Sequence, residues 1–312
     1  MRQALIIAGP TASGKSALAL VLAERFGGTV INADSMQVYR EIPIVTAQPS
    51  ARDRSTVPHR LYGIRPAAES GSVAWWRREA LAAMDAAALP ILCGGTGLYL
   101  QSLTAGLADI PEPDPAHRAE ARALVAAEGA AAMHARLAAI DPETAAGLRP
   151  SDPQRLARAW EVWRSTGRGL AAWHRTAGAP VPYVFRSIVL DPPRDDLWVT
   201  VASRFDAMLR AGAADEVAAL CELGLDPACP ALRALGVPEL SAVARGEMSL
   251  ADARQQAIAA SMRYVKRQAT WFRNREMSDP AMKRRIQSIW CKQTQDSESV
   301  FEEIRGFISD KD

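Results

Sequence analysis

One segment near the N-terminus limits the folds open to this chain: "ALIIAGPTASGKSALALVLAERFGG", residues 4–28. The apolar run Ala4–Ala8 is typical of a buried strand, and the residues after Gly14 have the apolar spacing of an amphipathic helix. Between them stands the spacing GxxxxGK(S/T), in the strand-and-helix context that a phosphate-binding loop requires. The segment therefore predicts an α/β protein with a P-loop at its first strand end.

The residues of this loop suit a phosphorylated ligand. Glycines let backbone N–H groups close around phosphate oxygens, and the start of the following helix adds its positive end. Lys15 supplies a point charge, and the Ser16 hydroxyl is a ligand for Mg²⁺. We expect a di- or triphosphate and Mg²⁺ to bind at Gly9, Pro10, Thr11, Ala12, Ser13, Gly14, Lys15 and Ser16.

Two further predicted strands end in polar residues. Thr29 to Ala33 is followed by Asp34, and Pro90 to Cys93 is followed by "GGTGLYL", residues 94–100. In open α/β sheets, ligands bind outside the carboxyl ends of the strands, so these residues are expected to converge. Two interpretations of each residue stay open. Asp34 is a catalytic carboxylate or holds Mg²⁺ through water, and Thr96 is catalytic or caps a structural turn.

The middle of the chain has a helical composition. After a proline-rich joint, Asp114 is predicted to cap a helix that has Pro115 at its first position. Alanine-rich helical sequence continues to about Thr176, before a strand predicted at Ser187 to Leu190. We therefore expect an α/β core from residues 1–112 and 184–312, with an all-helical insertion at 113–183.

Within the insertion, Asp152 is predicted to cap a second helix that starts at Pro153. Leu156, Trp160 and Trp163 recur at helical spacing and are expected in the core. Gln154, Arg155 and Arg158 occupy the first turns of this helix, where they either bind a phosphate or form a solvated helix end.

The C-terminal part contains "MRYVKRQATWFRNR", in which Lys266, Arg267, Arg273 and Arg275 surround aromatic residues. Helical spacing favours core positions for the aromatics Tyr264, Trp271 and Phe272, with some of the basic side chains facing phosphate. In the tail, the spacing of Phe301, Ile304 and Ile308 predicts a short amphipathic helix.

Composition excludes several classes of protein. A formal net charge of +2 over 312 residues rules out a basic field over the whole protein, so nucleic acid must meet a local patch. The four cysteines form neither a CxxC pair nor a zinc finger, which indicates a reducing cytoplasm. The apolar start ends at Gly9, too early for a signal peptide or a membrane span, so we expect a cytoplasmic protein without membrane contact.

Five motifs occur in a fixed order: GPTASGKS, ADSMQVYR, GGTGLYL, SDPQRLARAWEV and KRQATWFR. Together they resemble the bacterial tRNA dimethylallyltransferase (tRNA isopentenyltransferase) family over residues 4–275. The resemblance implies a P-loop NTPase-like parallel sheet and transfer of a dimethylallyl group from its diphosphate to N6 of adenosine 37 in tRNA, beside the anticodon. Diphosphate leaves, and no phosphoryl group is transferred. We expect a monomer that binds Mg²⁺, dimethylallyl diphosphate and the anticodon stem-loop of tRNA.

The resemblance also implies roles for individual residues. Asp34 is the general base that orients and deprotonates N6, and Thr96 lies at the active site beside the target base. Lys15, Mg²⁺ at Ser16, and Arg267 stabilise the leaving diphosphate. The implied tRNA contacts are Asp34, Ser35, Met36, Gln37, Thr96, Arg118, Gln154, Arg155, Leu156, Ala157 and Arg158.

Two stretches depart from the family pattern. Glu41, Val45 and Gln48 replace the usual glycines and lysine, and Val237 and Pro238 stand where a tyrosine and a basic residue are usual. These changes affect flanking loops and leave Lys15, Asp34 and Thr96 unaltered. The alternatives are a small-molecule P-loop kinase, an adenylate isopentenyltransferase and a non-enzymatic RNA-binding protein.

Overall fold

The computed structural model of the chain describes residues 1–176, 178–275, 277–287 and 304–307. It divides into two compact units. The core unit comprises Met1–Thr104 and Val181–Asp312, and the helical unit comprises Ala105–Pro180. The helical unit thus starts and ends before the 113–183 expected from the sequence, and Tyr183 already belongs to a strand.

The core unit is built on one parallel sheet, as the family resemblance implied. In spatial order the described strands are β3 (His59–Arg60), β2 (Thr29–Asn32), β4 (Pro90–Gly94), β1 (Arg2–Ala8), β5 (Tyr183–Leu190) and β6 (Lys283–Ile286). The pairs between these strands are parallel, and the central strand β1 pairs with β4 on one side and β5 on the other. The strand expected from Ser187 therefore begins four residues earlier, at Tyr183.

Helices cover both faces of this sheet, which explains why β1 is a continuous apolar run. Leu5 and Ile7 pack with residues of the first helix, whereas Ile6 packs on the other face with Trp76 and Phe272. The helices of the core unit are α1 (Lys15–Phe26), α2 (Ala51–Thr56), α3 (Val73–Asp85), α4 (Gly97–Thr104), α9 (Arg194–Arg210), α10 (Ala213–Glu222), α11 (Val237–Ala244) and α12 (Leu250–Asn274).

The helical unit contains α5 (Pro115–Ile140), α6 (Pro142–Ala146), α7 (Pro153–Thr166) and α8 (Leu170–Arg175). Both predicted caps are confirmed: Asp114 accepts a hydrogen bond from the Ala116 amide, and Asp152 accepts one from the Arg155 amide. Leu156 and Trp160 are buried, as expected, whereas Trp163 is only half-buried.

Helix α5 is long and apolar enough to cross a membrane by length and composition alone. Its middle is not regular, because Gly129 has φ +82° and ψ +167° and separates two helical halves. Met133 and Leu137 of this helix pack in the core of the helical unit. The helix is therefore accounted for as part of a folded helical unit.

The tail is described only at residues 304–307, which are helical and bring Ile304 and Phe307 against the α1 face of the sheet. The other positions of the predicted amphipathic helix, Phe301 and Ile308, lie outside the described residues, as does Cys291. Within the described chain, Cys93, Cys221 and Cys229 are free thiols.

Candidate active site

The P-loop links β1 to α1 by a tight turn that only glycine permits at its first position. Gly9 has φ +143°, and a Cβ there would lie 2.3 Å from the Leu190 carbonyl oxygen of β5. The Lys15 ammonium folds back and donates to the Pro10 carbonyl at 2.6 Å. The pKa of Lys15 is lowered to about 8, mainly by burial and in part by the charge of Arg204, while Cys93 and Asp34 act in the opposite direction.

The interior of the loop has polar groups that suit an oxyanion. The Ser13 hydroxyl is fully buried, and it has no hydrogen-bond partner among the described residues. Ala12 adopts a left-handed conformation, φ +65°, which is rare for a side chain other than glycine. A buried hydroxyl without a partner costs free energy that a phosphate oxygen can offset.

The site can bind Mg²⁺ only through oxygen ligands. In the described part of the chain, no cluster of three carboxylate, imidazole or thiolate groups could hold a metal by itself. Ser16 is exposed at the start of α1 and offers one hydroxyl. Mg²⁺ commonly takes few protein ligands together with phosphate oxygens, so the donor set fits Mg²⁺ bound jointly with a diphosphate.

Asp34 follows β2 and is held by the side chain of Asn32, which is buried. The Asn32 amide nitrogen donates to the Asp34 carbonyl at 2.9 Å, and its oxygen accepts from the Asp34 amide at 2.8 Å. Asp34 Oδ1 accepts from the Met36 amide at 2.9 Å. The second carboxylate oxygen, Oδ2, has no donor within the described chain, so it is available to a ligand.

The GGTG loop meets the end of β2, as the predicted convergence of strand ends requires. The Thr96 amide donates to the Ala33 carbonyl at 3.1 Å, and its hydroxyl oxygen accepts from the Ser35 amide at 2.9 Å. Gly94 is required by this approach, because a Cβ there would lie 2.1 Å from the Ala33 carbonyl carbon. Thr96 therefore lies in direct contact with the Asp34–Ser35 turn.

Gln268 of α12 connects the two loops, a role that the sequence patterns did not predict. Its side-chain oxygen accepts from the Thr11 amide at 2.9 Å, and its amide nitrogen donates to the Gly95 carbonyl at 3.0 Å. The side chain is buried. A Cβ on Gly95 would lie 2.0 Å from that nitrogen, so this glycine makes room for the bridge.

A cavity of about 200 Å³ lies at this edge of the sheet. It brings together Thr11, Asp34, Ser35, Met36 and Arg267 from the sequence-predicted site. Its lining includes polar and charged side chains as well as apolar ones. The lining residues are Thr11, Asp34, Ser35, Met36, Val45, Thr46, Val201, Arg204, Phe205, Met208, Arg233, Leu235, Ser261, Tyr264 and Arg267.

Arg204 of α9 is a cavity residue that the sequence analysis missed. Burial lowers the pKa of its guanidinium, and the Asp34 carboxylate opposes that shift. No hydrogen bond or ion pair from Arg204 to another side chain is found among the described residues. A signal existed in the sequence, because Arg204 shares a helix face with Val201, Phe205 and Met208, and a charge on an apolar stripe is unusual.

Tyr264 was expected in the core and is instead half-buried in the cavity wall. Burial raises its pKa, with Asp34 adding to the shift, while Arg267 and a side-chain contact with Thr96 lower it. The phenol is therefore neutral. The Arg267 guanidinium lies over the Tyr264 ring, 5.3 Å from its centre. Phe272 is buried as expected, and Trp271 is partly buried beside Gly97.

Apart from Gln37, the remaining residues predicted to contact tRNA are in the helical unit. Gln154 and Arg155 are exposed, and Arg118, Ala157 and Arg158 are partly exposed. Leu156 is completely buried, so its side chain cannot contact RNA, although it lies in the predicted segment. In the core unit, the Gln37 amide is already engaged, because it donates to the Thr46 and Ala47 carbonyls at 2.8 and 2.9 Å.

The residues that depart from the family pattern have structural partners here. Glu41 accepts from the Ala67 amide at 2.8 Å, and Gln48 donates to the Tyr39 carbonyl at 2.7 Å. Val45 is buried in the cavity wall, and its amide donates to Glu216. Val237 and Pro238 form the first turn of α11. These substitutions therefore keep the loops beside the cavity ordered.

Known proteins resemble the chain over nearly all its length. The sequence model of the family described as IPP transferase matches residues 37–275. The tRNA dimethylallyltransferase of Gluconobacter oxydans is 55% identical, covering 100% of this chain and 95% of the relative. That of Acidiphilium cryptum is 56% identical, covering 99% of this chain and 95% of the relative.

Two solved structures extend the comparison to the fold. The tRNA isopentenylpyrophosphate transferase of Bacillus halodurans has a TM-score of 0.67 at 32% identity, with coverage of 99% and 97%. A eukaryotic dimethylallyltransferase acting on tRNA has a TM-score of 0.82 at 25% identity, covering 100% of this chain and 81% of that chain.

The lowered pKa of Lys15 predicts a pH dependence of anion binding. Above about pH 8 the free protein loses the ammonium charge, so isopentyl diphosphate, an unreactive alkyl diphosphate, should bind more weakly as pH rises. Calorimetric dissociation constants between pH 7 and 10 measure this. The Lys15→Arg variant keeps its charge throughout and serves as the control. A constant affinity in the wild-type protein would contradict the assignment.

The Gln268 bridge predicts that the hydrogen-bonding groups of the side chain matter more than its shape at this position. Gln268→Glu has the same shape, but a carboxylate cannot donate to the Gly95 carbonyl and places two acceptors together. We expect a loss of about 1–3 kcal/mol in the free energy of unfolding, together with weaker diphosphate binding. Gln256→Glu, at an exposed position of α12, is the matched control. Equal effects at both positions would show that the bridge is dispensable.

Proposed function

The chain belongs to the IPP transferase family, and on this premise we propose that it transfers a dimethylallyl group from dimethylallyl diphosphate to N6 of adenosine 37 in tRNA. The observation that carries the proposal is the shared cavity. A carboxylate, Asp34, and a P-loop residue, Thr11, face the same space, so an amine and a diphosphate ester can meet there. Cleavage of the C1–O bond and formation of the C1–N bond then release diphosphate.

Positively charged side chains bind the diphosphate of the donor in this proposal. Negative charge grows on the diphosphate as the C1–O bond breaks, so Lys15, Arg204 and Arg267 stabilise the transition state more than the ground state. Lys15 and Arg204 are partly desolvated by burial, which strengthens their attraction for an anion. The Ser13 hydroxyl and the loop amides provide hydrogen bonds.

The proposed metal is Mg²⁺, held by the Ser16 hydroxyl together with oxygens of the diphosphate. When bound, Mg²⁺ neutralises charge on the leaving group. The protein's own contribution at this point is the orientation of the Ser16 hydroxyl by the first turn of α1, beside the Lys15 ammonium.

The acceptor end depends on Asp34. The lone pair of the adenine amine is delocalised into the ring, so the amine needs a group that orients it and takes a proton as the C–N bond forms. Asp34 Oδ2 is available for this, while Asn32 fixes the backbone on both sides of the carboxylate. Thr96 lies beside this turn and is suited to contact the incoming base.

The apolar part of the cavity suits the dimethylallyl group. The side chains of Val45, Val201, Phe205, Met208 and Leu235 form this wall. An apolar surround also limits the access of water to the allylic carbon, which would otherwise be hydrolysed.

In this proposal the helical unit binds the anticodon stem-loop. Gln154 and Arg155, in the exposed first turn of α7, and the partly exposed Arg118 and Arg158 can bind phosphate oxygens. The Asp34–Gln37 turn and Thr96 would contact the target nucleotide. We further propose that the protein works as a cytoplasmic monomer.

Incubation with radiolabelled dimethylallyl diphosphate tests the function directly. Label should enter tRNA and depend on an adenosine at position 37. Transfer to AMP instead would favour an adenylate isopentenyltransferase. Transfer of the γ-phosphate of ATP to a small molecule would favour a kinase, and binding of tRNA without any transfer would leave an RNA-binding protein.

The role of Asp34 predicts the behaviour of Asp34→Asn. The amide keeps the shape but cannot accept a proton, so single-turnover transfer should slow by about 10²- to 10⁴-fold at saturating substrates. The Mg²⁺ concentration that gives half-maximal rate should not change. Recovery of the rate at high Mg²⁺ would instead assign Asp34 to the metal. Asp195→Asn, at an exposed carboxylate of α9, controls for loss of a charge.

A further inference from the structure

We propose that Glu161 is a positioning residue for RNA, one that holds the guanidinium groups of Arg118 and Arg158 together as a single phosphate-binding pair. This inference rests on the proposed function, because it concerns how the helical unit binds the phosphate backbone of tRNA. Glu161 itself would touch no RNA.

The geometry places one carboxylate between the two arginines. Arg158 Nη1 donates to Glu161 Oε1 at 2.7 Å, and Arg118 Nε lies 3.6 Å from Glu161 Oε2. Arg158 is one turn before Glu161 on α7, whereas Arg118 comes from the first turn of α5. Two separate helices thus bring a guanidinium to the same carboxylate.

Burial differs sharply between the three side chains. Glu161 is 10% exposed at its side chain, whereas Arg118 and Arg158 remain 34% and 41% exposed. A mostly buried carboxylate has few rotamers available, so it fixes the positions of its partners. Each guanidinium carries five N–H donors in a planar fork, and the contacts to Glu161 leave donors on both arginines for an incoming oxyanion.

Electrostatics explains why the carboxylate is needed. Two guanidinium groups that approach one another repel, and the repulsion is largest where water is partly excluded. A carboxylate between them offsets the repulsion and keeps the pair close enough to bind one phosphate from two sides. The other interaction of Arg118 is weak, since Glu112 is 3.8 Å away and 88% exposed.

A simpler role for Glu161 predicts the opposite result. If the carboxylate only neutralises the arginines, its removal should free two cations and strengthen RNA binding. If it positions them, its removal should weaken RNA binding although the protein becomes more positive. The sign of the change in affinity therefore distinguishes the two roles.

The test is Glu161→Gln, with tRNA affinity measured over a series of salt concentrations. We expect roughly 10-fold weaker binding, the change that follows from losing one charge-assisted hydrogen bond. The slope of log K against log salt should fall by about 0.7 to 1.8, equivalent to one or two phosphate contacts. The KM for tRNA should rise, while kcat and the KM for dimethylallyl diphosphate stay unchanged.

The chain offers a matched control in Glu128→Gln. Glu128 makes a two-point ion pair with Arg136, both bonds 2.8 Å, also within the helical unit, and neither residue is a predicted RNA contact. This variant should bind tRNA like the wild-type protein. Unfolding curves of both variants show whether a loss of affinity comes from loss of the fold, and Glu161→Asp, which keeps the charge, should recover part of the affinity.

A double-mutant cycle completes the design. Arg158→Ala should weaken tRNA binding in the wild-type protein and cost clearly less in the Glu161→Gln background, since the pair is already disrupted there. Unchanged or tighter binding by Glu161→Gln would overturn the positioning role. If Arg118→Ala and Arg158→Ala also leave tRNA binding unchanged while transfer continues, the proposed RNA surface itself is wrong.

Discussion

The arrangement of this site depends on one buried amide side chain. Gln268 accepts from the P-loop and donates to the GGTG loop, so the distance between these two loops is set by the length of one glutamine side chain. An amide is the neutral group that can both accept and donate at its tip. Because α12 is long and packs along the core unit, the bridge transmits the rigidity of a helix to two loops that have no regular structure of their own.

The site also depends on close approach between two backbone segments. Gly94 and Gly95 allow the end of β4 to touch the end of β2 and the Gln268 side chain at distances that any Cβ would prevent. Thr96 is thereby placed against Ser35, and Asp34 is kept in its turn by Asn32. Asp34 and Thr96 are therefore positioned by hydrogen bonds that join side chains to backbone amides and by the close approach of two strand ends.

The sequence predicted those parts of the protein that depend on local patterns. The strand and helix on either side of the P-loop motif and the helix caps at Asp114 and Asp152 follow from spacing over a few residues, and the structure confirms them. The parallel sheet, which the family resemblance implied, is also present. The Gln268 bridge depends on contacts between distant segments, which periodicity does not encode. Leu156 shows the opposite case. The motif predicts tRNA contact for a whole segment, whereas helix geometry places the Leu156 side chain in the core.

The order of strands along the chain has a consequence for synthesis. In the described chain the apolar strand β5 pairs with β1 on one side and with β6 on the other, where Ser187 pairs with Lys283. During translation this second edge of β5 stays open until residues 283–286 have left the ribosome, and an open apolar edge can pair with other nascent chains. The finished edge strand, "KRRI", carries three positive charges, so the completed sheet resists the same association.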